Sequence, residues 1–351
     1  MCMRRLYFLV CIIFIITGIQ TRAQDQYEVI TSHPRIVLTK EAELTLQFLF
    51  LESEDANKIK ASLRKNADLF VNEKPISSDF IKESVKKNSL NQTFYKITTL
   101  GMAYRLFEED VYAQKMTEYL VAISSLPDWY PTDLAITSQL TTMTALGYDW
   151  LYYSLNRENR ELIRNSIVQK GLNPGLAALS GKEESTDYYS ENQDKMLMTS
   201  CGFVLGSLSV ADDFPAINKK VIYRFLLNNQ QTLEKFTFES FMEKYGDDWD
   251  ITANYLAMTM ASLNVSLGHD FKISALENVK AFSNDYLSYL ESDVDSKDEK
   301  SNYVLNPALL WFSKLNSNTK ANDFYLESVK KYHLKSGEKT QLNYLCLLWM
   351  I

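Results

Sequence analysis

"LTTMTALGYDWLYYSLNRENRELIRNSI", Leu140 to Ile167, is the stretch that decides the fold. Leu140, Thr144, Gly147 and Leu151 step by four, three and four, the spacing that lays one face of an α-helix against a core. The same period recurs on both sides, in Ile97, Leu100, Tyr104 and Phe107, in Ile217, Val221 and Phe225, and in Ile251, Tyr255 and Met258. Strict alternation of period two is nearly absent. Asn173-Pro174, Phe214-Pro215 and Asn306-Pro307 each place a proline just inside a new periodic segment, where its missing N–H has no helical partner to lose. The chain reads as all-α, about a dozen helices joined by short connections as in helical hairpins. The faces are wide and rich in Tyr and Met, which suits an inner ring of helices covered by an outer one.

The first residues read as an address. Arg4 and Arg5 precede a short apolar run, Leu6 to Ile16, and Thr21 and Ala23 place small residues before a cut near Ala23. This predicts a secretory signal peptide over residues 1–23, with 24–351 as the mature domain, periplasmic or secreted and without a membrane anchor after cleavage. Cys11 follows Val10, which argues against a lipoprotein anchor. Removing Arg4, Arg5 and Arg22 takes the formal charge from −7 to −10, a balance that excludes a typical nucleic-acid binder. Cys201 and Cys346 lie in apolar surroundings and read as lone buried thiols. No glycine-rich phosphate loop, nucleophile elbow or zinc-binding His-Glu-x-x-His helix is present, so no cofactor is expected. His33, His269 and His333 are far apart, and no metal site is expected. "ESDVDSKDEKSN", Glu291 to Asn302, fails as a calcium loop because Lys297 and Asp298 stand where a ligand and the turn glycine belong.

The stretch with most chemistry is "KYGDDWDITANY", Lys244 to Tyr255. Asp247, Asp248 and Asp250 surround Trp249 directly before a helical period. A carboxylate there caps the helix and favours the positive end of its dipole. Asp247 and Asp250 take that role, whereas Asp248, Trp249 and Tyr245 are expected to line a cleft.

"HPRIVLTKEAEL" from His33, "AYRLFEEDVYAQKMTEYLVAISSLPDWYP" from Ala103, "ALGYDWLYYSLNRENRELIRNSIVQKGLNPGL" from Ala145 and "CGFVLGSLSVADD" from Cys201 are similar, in order and spacing, to the N-terminal domain of heparinase II/III-like polysaccharide lyases. The resemblance implies an incomplete (α/α) toroid of helical hairpins with a long cleft, followed in the family by a β-sandwich. It also implies β-elimination on a uronic-acid polysaccharide. In that reaction Asn or His donors stabilise charge on the sugar carboxylate, and a Tyr or His removes the adjacent proton.

Carried over residue by residue, the motifs are altered. The family's Asn-Trp-Asn-Gln run falls, without gaps, on Asp194 to Leu197, with Asn192 and Gln193 close by. Trp249 aligns, Asp248 stands at the expected tyrosine, and Tyr245 is displaced. A glutamate common before "ALGYDW" is Gln139. The expected site is therefore Tyr245 as proton carrier and Asn192 as charge stabiliser. Gln193, Trp249, Asp248, Gln139, Trp129, Tyr188 and Tyr189 are expected to contact an acidic polysaccharide or oligosaccharide. The chain stops in "LNYLCLLWMI", an apolar helix end of the kind a following domain covers. With no β-sandwich, which in the family supplies a histidine, the expectation is a fragment or shortened product, or a protein without catalysis. A non-catalytic glycan-binding or scaffold protein, and a glycoside hydrolase on the same helical architecture, are the alternatives.

Overall fold

The computed structural model describes residues 28–180, 196–235, 237–245, 249–292, 306–334 and 342–350, and every regular element among them is helical. In chain order these are α1 (Lys40–Glu52), α2 (Glu54–Val71), α3 (Ser78–Lys86), α4 (Leu90–Phe107), α5 (Asp110–Ser124), α6 (Leu134–Trp150) and α7 (Arg157–Ser166). A π-helical turn, Ile167–Leu172, leads into α8 (Asn173–Leu179). Then come α9 (Met196–Ser209), α10 (Pro215–Glu234), α11 (Phe238–Tyr245), α12 (Trp249–Leu267), α13 (Glu277–Ser292), α14 (Ala308–Leu315) and α15 (Thr319–Ser328). A second π-helical turn, Val329–Leu334, and the short α16 (Cys346–Trp349) complete the set. Among the described residues no helix is long and apolar enough to cross a membrane.

Local sequence explains most boundaries. Thr39, Ser53, Ser77, Asp133, Asn156 and Asn318 accept backbone N–H groups at helix starts, the role their short polar side chains suit best. Pro215 opens α10 as expected. The start expected at Asn173-Pro174 is different. The helix runs through, and the widened π turn precedes the proline, whose absent N–H leaves the carbonyl four residues back without its usual donor. Gly268 ends α12 in the left-handed region at φ 76°, its N–H donating to Asn264 O.

Helix α6 is buried almost all round; only Ile136 and Gln139 keep partial exposure along it. Its many hydroxyls are accommodated because Thr141, Thr142 and Thr144 bond back to the carbonyls of Thr137, Ser138 and Leu140. Small residues let α9 approach closely. A Cβ on Gly202 would lie 2.1 Å from Ser138 Oγ and 2.9 Å from the Ser138 carbonyl oxygen.

Helices α4, α6, α9 and α12 run parallel. Ser138 Oγ donates to Thr199 O near one end of α6 and α9, while Asp149 and Leu208, near their other ends, both meet Arg35. Thr259 Oγ1 of α12 donates to Cys201 O, and Ser266 Oγ to Arg35 O. In α4, Gly101 abuts Trp150 at the far end of α6. Packing proceeds from α2 to α4, α6, α9, α12, α14 and α16, and α16 touches α1. Ser62 of α2 shares hydrogen bonds with His333 Nε2 at 2.8 Å and Tyr344 hydroxyl at 2.9 Å, tying the two ends of the described chain together. The remaining helices flank this series. Helix α5 lies against α4 and α6, α10 against α9, and α13 against α14 and α15.

The C-terminal ends of the parallel helices are joined by the segment His33 to Val37. Asp149, fully buried, accepts His33 Nδ1 at 2.6 Å and the N–H groups of Arg35 at 2.8 Å and Ile36 at 2.9 Å. Arg35 donates to the carbonyls of Leu208 and Ser209 at 3.0 Å each and to Asp212 at 2.5 Å. The His33 ring stacks on Tyr152 with centroids 3.8 Å apart, and its Nε2 lies 3.7 Å from Asp212, close enough for ionic attraction. Burial pushes the His33 imidazole down, but Asp149 and Asp212 outweigh it and the pKa is raised. Burial likewise pushes Asp212 up, yet the hydrogen bond from Arg35 and the nearby His33 ring hold it well below the usual carboxylate range. Cys201 and Cys346 are free buried thiols, both pushed up to about 12 by burial.

Asp149→Ala leaves three buried donors without an acceptor. The expected loss is about 3–5 kcal/mol in urea unfolding, and a loss under about 1 kcal/mol would show the network to be incidental. His33 holds its proton more tightly folded than unfolded. Its contribution is therefore whole below its unfolded value of about 6.5 and fades as pH rises through the raised folded value. The stability gap between wild type and His33→Gln should narrow as pH rises above about 6.5; a gap that widens contradicts the assignment.

Candidate functional site

At the opposite end of the parallel helices is a cavity of about 350 Å³. It lies at the low end of the range of small-molecule sites, about 300–1,000 Å³. Its walls come from the first turns of α4 and α12, the first half of α6, and the residues just before α14 and α16. Its apolar lining is Leu90, Phe94, Met143, Ile251, Met258 and Pro307. Its polar lining is the amides of Asn91, Gln139, Asn254, Asn306 and Asn343, the tyrosines Tyr95 and Tyr255, and the carboxylate of Asp250.

Two of the asparagines are set by helix starts. Asn306 Oδ1 accepts Ala308 N–H at 2.8 Å while its Nδ2 donates to Asp250 O at 2.7 Å, which ties α14 to α12. Asn343 Oδ1 accepts Leu345 N–H at 3.1 Å. Asn254 differs, because its Oδ1 is buried and has no hydrogen-bond partner. At α4 the N-cap Ser89 makes no side-chain cap bond, so the first N–H groups of that helix keep their positive character beside Leu90 and Asn91. Burial raises the Tyr255 hydroxyl above the usual tyrosine value, and its hydrogen bond with Thr142 only partly draws it back. Tyr255 is therefore a neutral group at physiological pH and unsuited to accept a proton. Among the described lining residues there is no lysine, arginine or histidine.

Of the residues expected from sequence, Gln139 and the helix-start Asp250 line this cavity. Trp129 and Trp249 do not, and the expectation that they contact a glycan is corrected here. Trp129 is 0 % exposed, with its Nε1 donating to Ile123 O at 3.0 Å. Trp249 is 2 % exposed and meets Phe238 and Tyr286 edge to face at centroid distances of 5.3 and 4.9 Å. Each ring buries more apolar surface inside the protein than a half-exposed platform would. Tyr188, Tyr189, Asn192, Gln193 and Asp248 lie outside the described residues, and Tyr245 is the last residue of α11. Sequence reasoning missed Asn91, Tyr95, Asn254 and Asn343. A signal existed in their recurrence near helix starts, as at Asn306-Pro307, but nothing local joined them.

No known family model matches the chain, and no curated protein matches it.

Trp249→Ala should destabilise the protein by about 3–5 kcal/mol in chemical denaturation, as expected for a packed ring. A variant with wild-type stability would place the indole at the surface instead.

Proposed function

We propose that the chain is an exported, polysaccharide-lyase-like protein that engages a uronic-acid-containing glycan. Its helices are read as an incomplete (α/α) toroid of hairpins, with the series α2, α4, α6, α9, α12 and α14 inside and the others outside. The order of helix packing and the bonds from Ser62 to His333 and Tyr344 support that architecture. The apolar segment near residue 1 supports export.

The observation that carries the functional reading is the cavity lining that combines five side-chain amides and two tyrosines with apolar side chains. Sugars present hydroxyls at their edges and C–H groups on their faces, so they suit a wall of this composition. Gln139, at the position where the lyase motif has a glutamate, is part of that wall. In catalysis, amide donors would stabilise the negative charge that develops as the proton beside the sugar carboxylate leaves. Asn192 is assigned that role, and Tyr245 the proton transfer.

One observation favours a second reading, a glycan-binding protein without turnover. Among the described lining residues there is no histidine, and Tyr255 is held protonated. The two readings separate in a single assay. Cleavage of a uronic-acid polymer by β-elimination yields an unsaturated, ultraviolet-absorbing end, and Tyr245→Phe should slow its appearance by about 100-fold or more. Unchanged turnover in that variant removes Tyr245 from the mechanism. Binding with no absorbance change selects the second reading. Saturated reducing ends would indicate a hydrolase, and neither binding nor cleavage of any uronic-acid polymer would overturn the proposal.

A further inference from the structure

We infer that α1 of one copy of this protein docks in the groove that α10 and residues 271–276 form on a second copy. The contact is separate from the cavity at the helix starts and does not depend on what that cavity binds.

The inserted surface is read from α1. Leu44, Phe48 and Leu51 are 65 %, 65 % and 83 % exposed. They fall at i, i+4 and i+7, which makes one stripe along the helix. Leu46 and Phe50 of the same helix are buried, so α1 is already anchored without the stripe. Single exposed leucines are ordinary, but three large apolar side chains in one row mark an interaction surface.

The receiving surface is a groove of about 430 Å³. Leu226, Leu227 and Leu233 of α10 line it together with Phe271, Ile273 and Leu276. Tyr223 belongs to the same lining, and Tyr223 and Leu227 stay 60 % and 50 % exposed. The segment from 271 is held in shape. Asp270 Oδ2 accepts Ser274 N–H at 2.9 Å, and Asp270 O accepts Ile273 N–H at 3.2 Å. Phe271 and Lys272 both lie in the left-handed region, at φ 57° and 65°, a costly conformation for two successive residues with side chains. An apolar helix row at i, i+4 and i+7 seated in an apolar groove is a recurrent mode of recognition. A groove already in shape loses little entropy on filling.

Charge selects the partner. Glu41 and Glu52 are exposed on one flank of the α1 stripe, three turns or about 16 Å apart. Lys40, at the start of the helix, is engaged over the Tyr153 ring at 5.7 Å. Arg224 and Lys235 are likewise three turns apart, on the flank of α10 beside Leu227, and exposed Lys220 stands one turn before Arg224. Within the lining, Lys272 and Glu234 are opposite in sign, and Gln230 Nε2 donates to Glu234 at 2.8 Å. One chain thus carries an acid-flanked apolar stripe and a base-flanked apolar groove of matching spacing. Helix α1 packs on α2 and α16, and α10 on α8 and α9, so the contact is heterologous, one surface against a different one. A single helix in a groove is a small contact, below about 1,200 Å² in total, and a dissociation constant in the micromolar range or weaker is expected.

Sedimentation equilibrium of the protein from about 1 μM to about 0.5 mM is expected to show a mass that rises above the monomer's. Phe48→Glu and Leu227→Glu should each weaken that association at least about tenfold. Both side chains are exposed, so the urea midpoints should stay near wild type. Two charge reversals add the sharper arm. The pair Glu41→Lys and Glu52→Lys, and separately the pair Arg224→Glu and Lys235→Glu, should each self-associate at least about tenfold more weakly, because like charges then meet. Mixed one to one, each variant's α1 meets an oppositely charged groove, and association should return to near wild type. A protein that is monomeric throughout the range overturns the inference, as does a mixture no stronger than its two components. Association that survives either apolar substitution also overturns it. Surviving Leu227→Glu sets α1 against another surface, such as α1 of the second copy, and surviving Phe48→Glu seats a different segment in the groove.

Discussion

One buried carboxylate organises the molecule. Asp149, at the end of α6, accepts the His33 ring and two consecutive backbone N–H groups, and so fixes the segment His33 to Val37 across the ends of three helices. The need for such a clamp follows from the helix directions. Parallel helices place like ends together, and their C-terminal carbonyls gather partial negative charge. Arg35 answers that charge directly, donating to Leu208 and Ser209 O from a guanidinium with no exposed side-chain surface. The planar fork reaches carbonyls and Asp212 at once, which a lysine could not do. The raised pKa of His33 favours a second cation in the same place.

The same alignment sets the character of the other end. The helix starts there carry N–H groups that need partners, and the chain supplies asparagines, two of which accept an N–H at or just before the starts of α14 and α16 and line the cavity. Asp250 neutralises the first turn of α12 from within. The result is a polar wall of modest net charge rather than a cationic pit. Ionic closure thus lies at one end of the helix axes, amides and an open cavity at the other.

The helices themselves were legible in the sequence because a 3.6-residue period is local, as in Leu140, Thr144, Gly147 and Leu151. Pro215 marked a start for the same reason. The parallel arrangement was not legible, since it rests on bonds such as Asp149 to His33, which span more than a hundred residues. The tryptophans misled for a physical reason. An indole beside carboxylates in sequence looks like a sugar platform, yet Trp249 finds Phe238 on α11 and Tyr286 on α13, neither of which is implied by its neighbours. The cavity wall was only partly visible. Gln139 stood out through motif comparison, whereas Asn91, Asn254 and Asn343 meet only because α4, α12 and the approach to α16 converge. The π turn before Pro174 was hidden because a proline reads equally as a start or as a disturbance within a continuing helix.

Amide hydrogen exchange of the protein, with and without a saturating uronic-acid oligosaccharide, tests the division between the two ends most directly. The account predicts added protection in the first turns of α4 and α12 and around Asn306 and Asn343, with no change at His33 to Val37 or Asp149. Protection centred on the His33–Asp149 end, or spread along the flanking helices α5, α10 and α13, would contradict it.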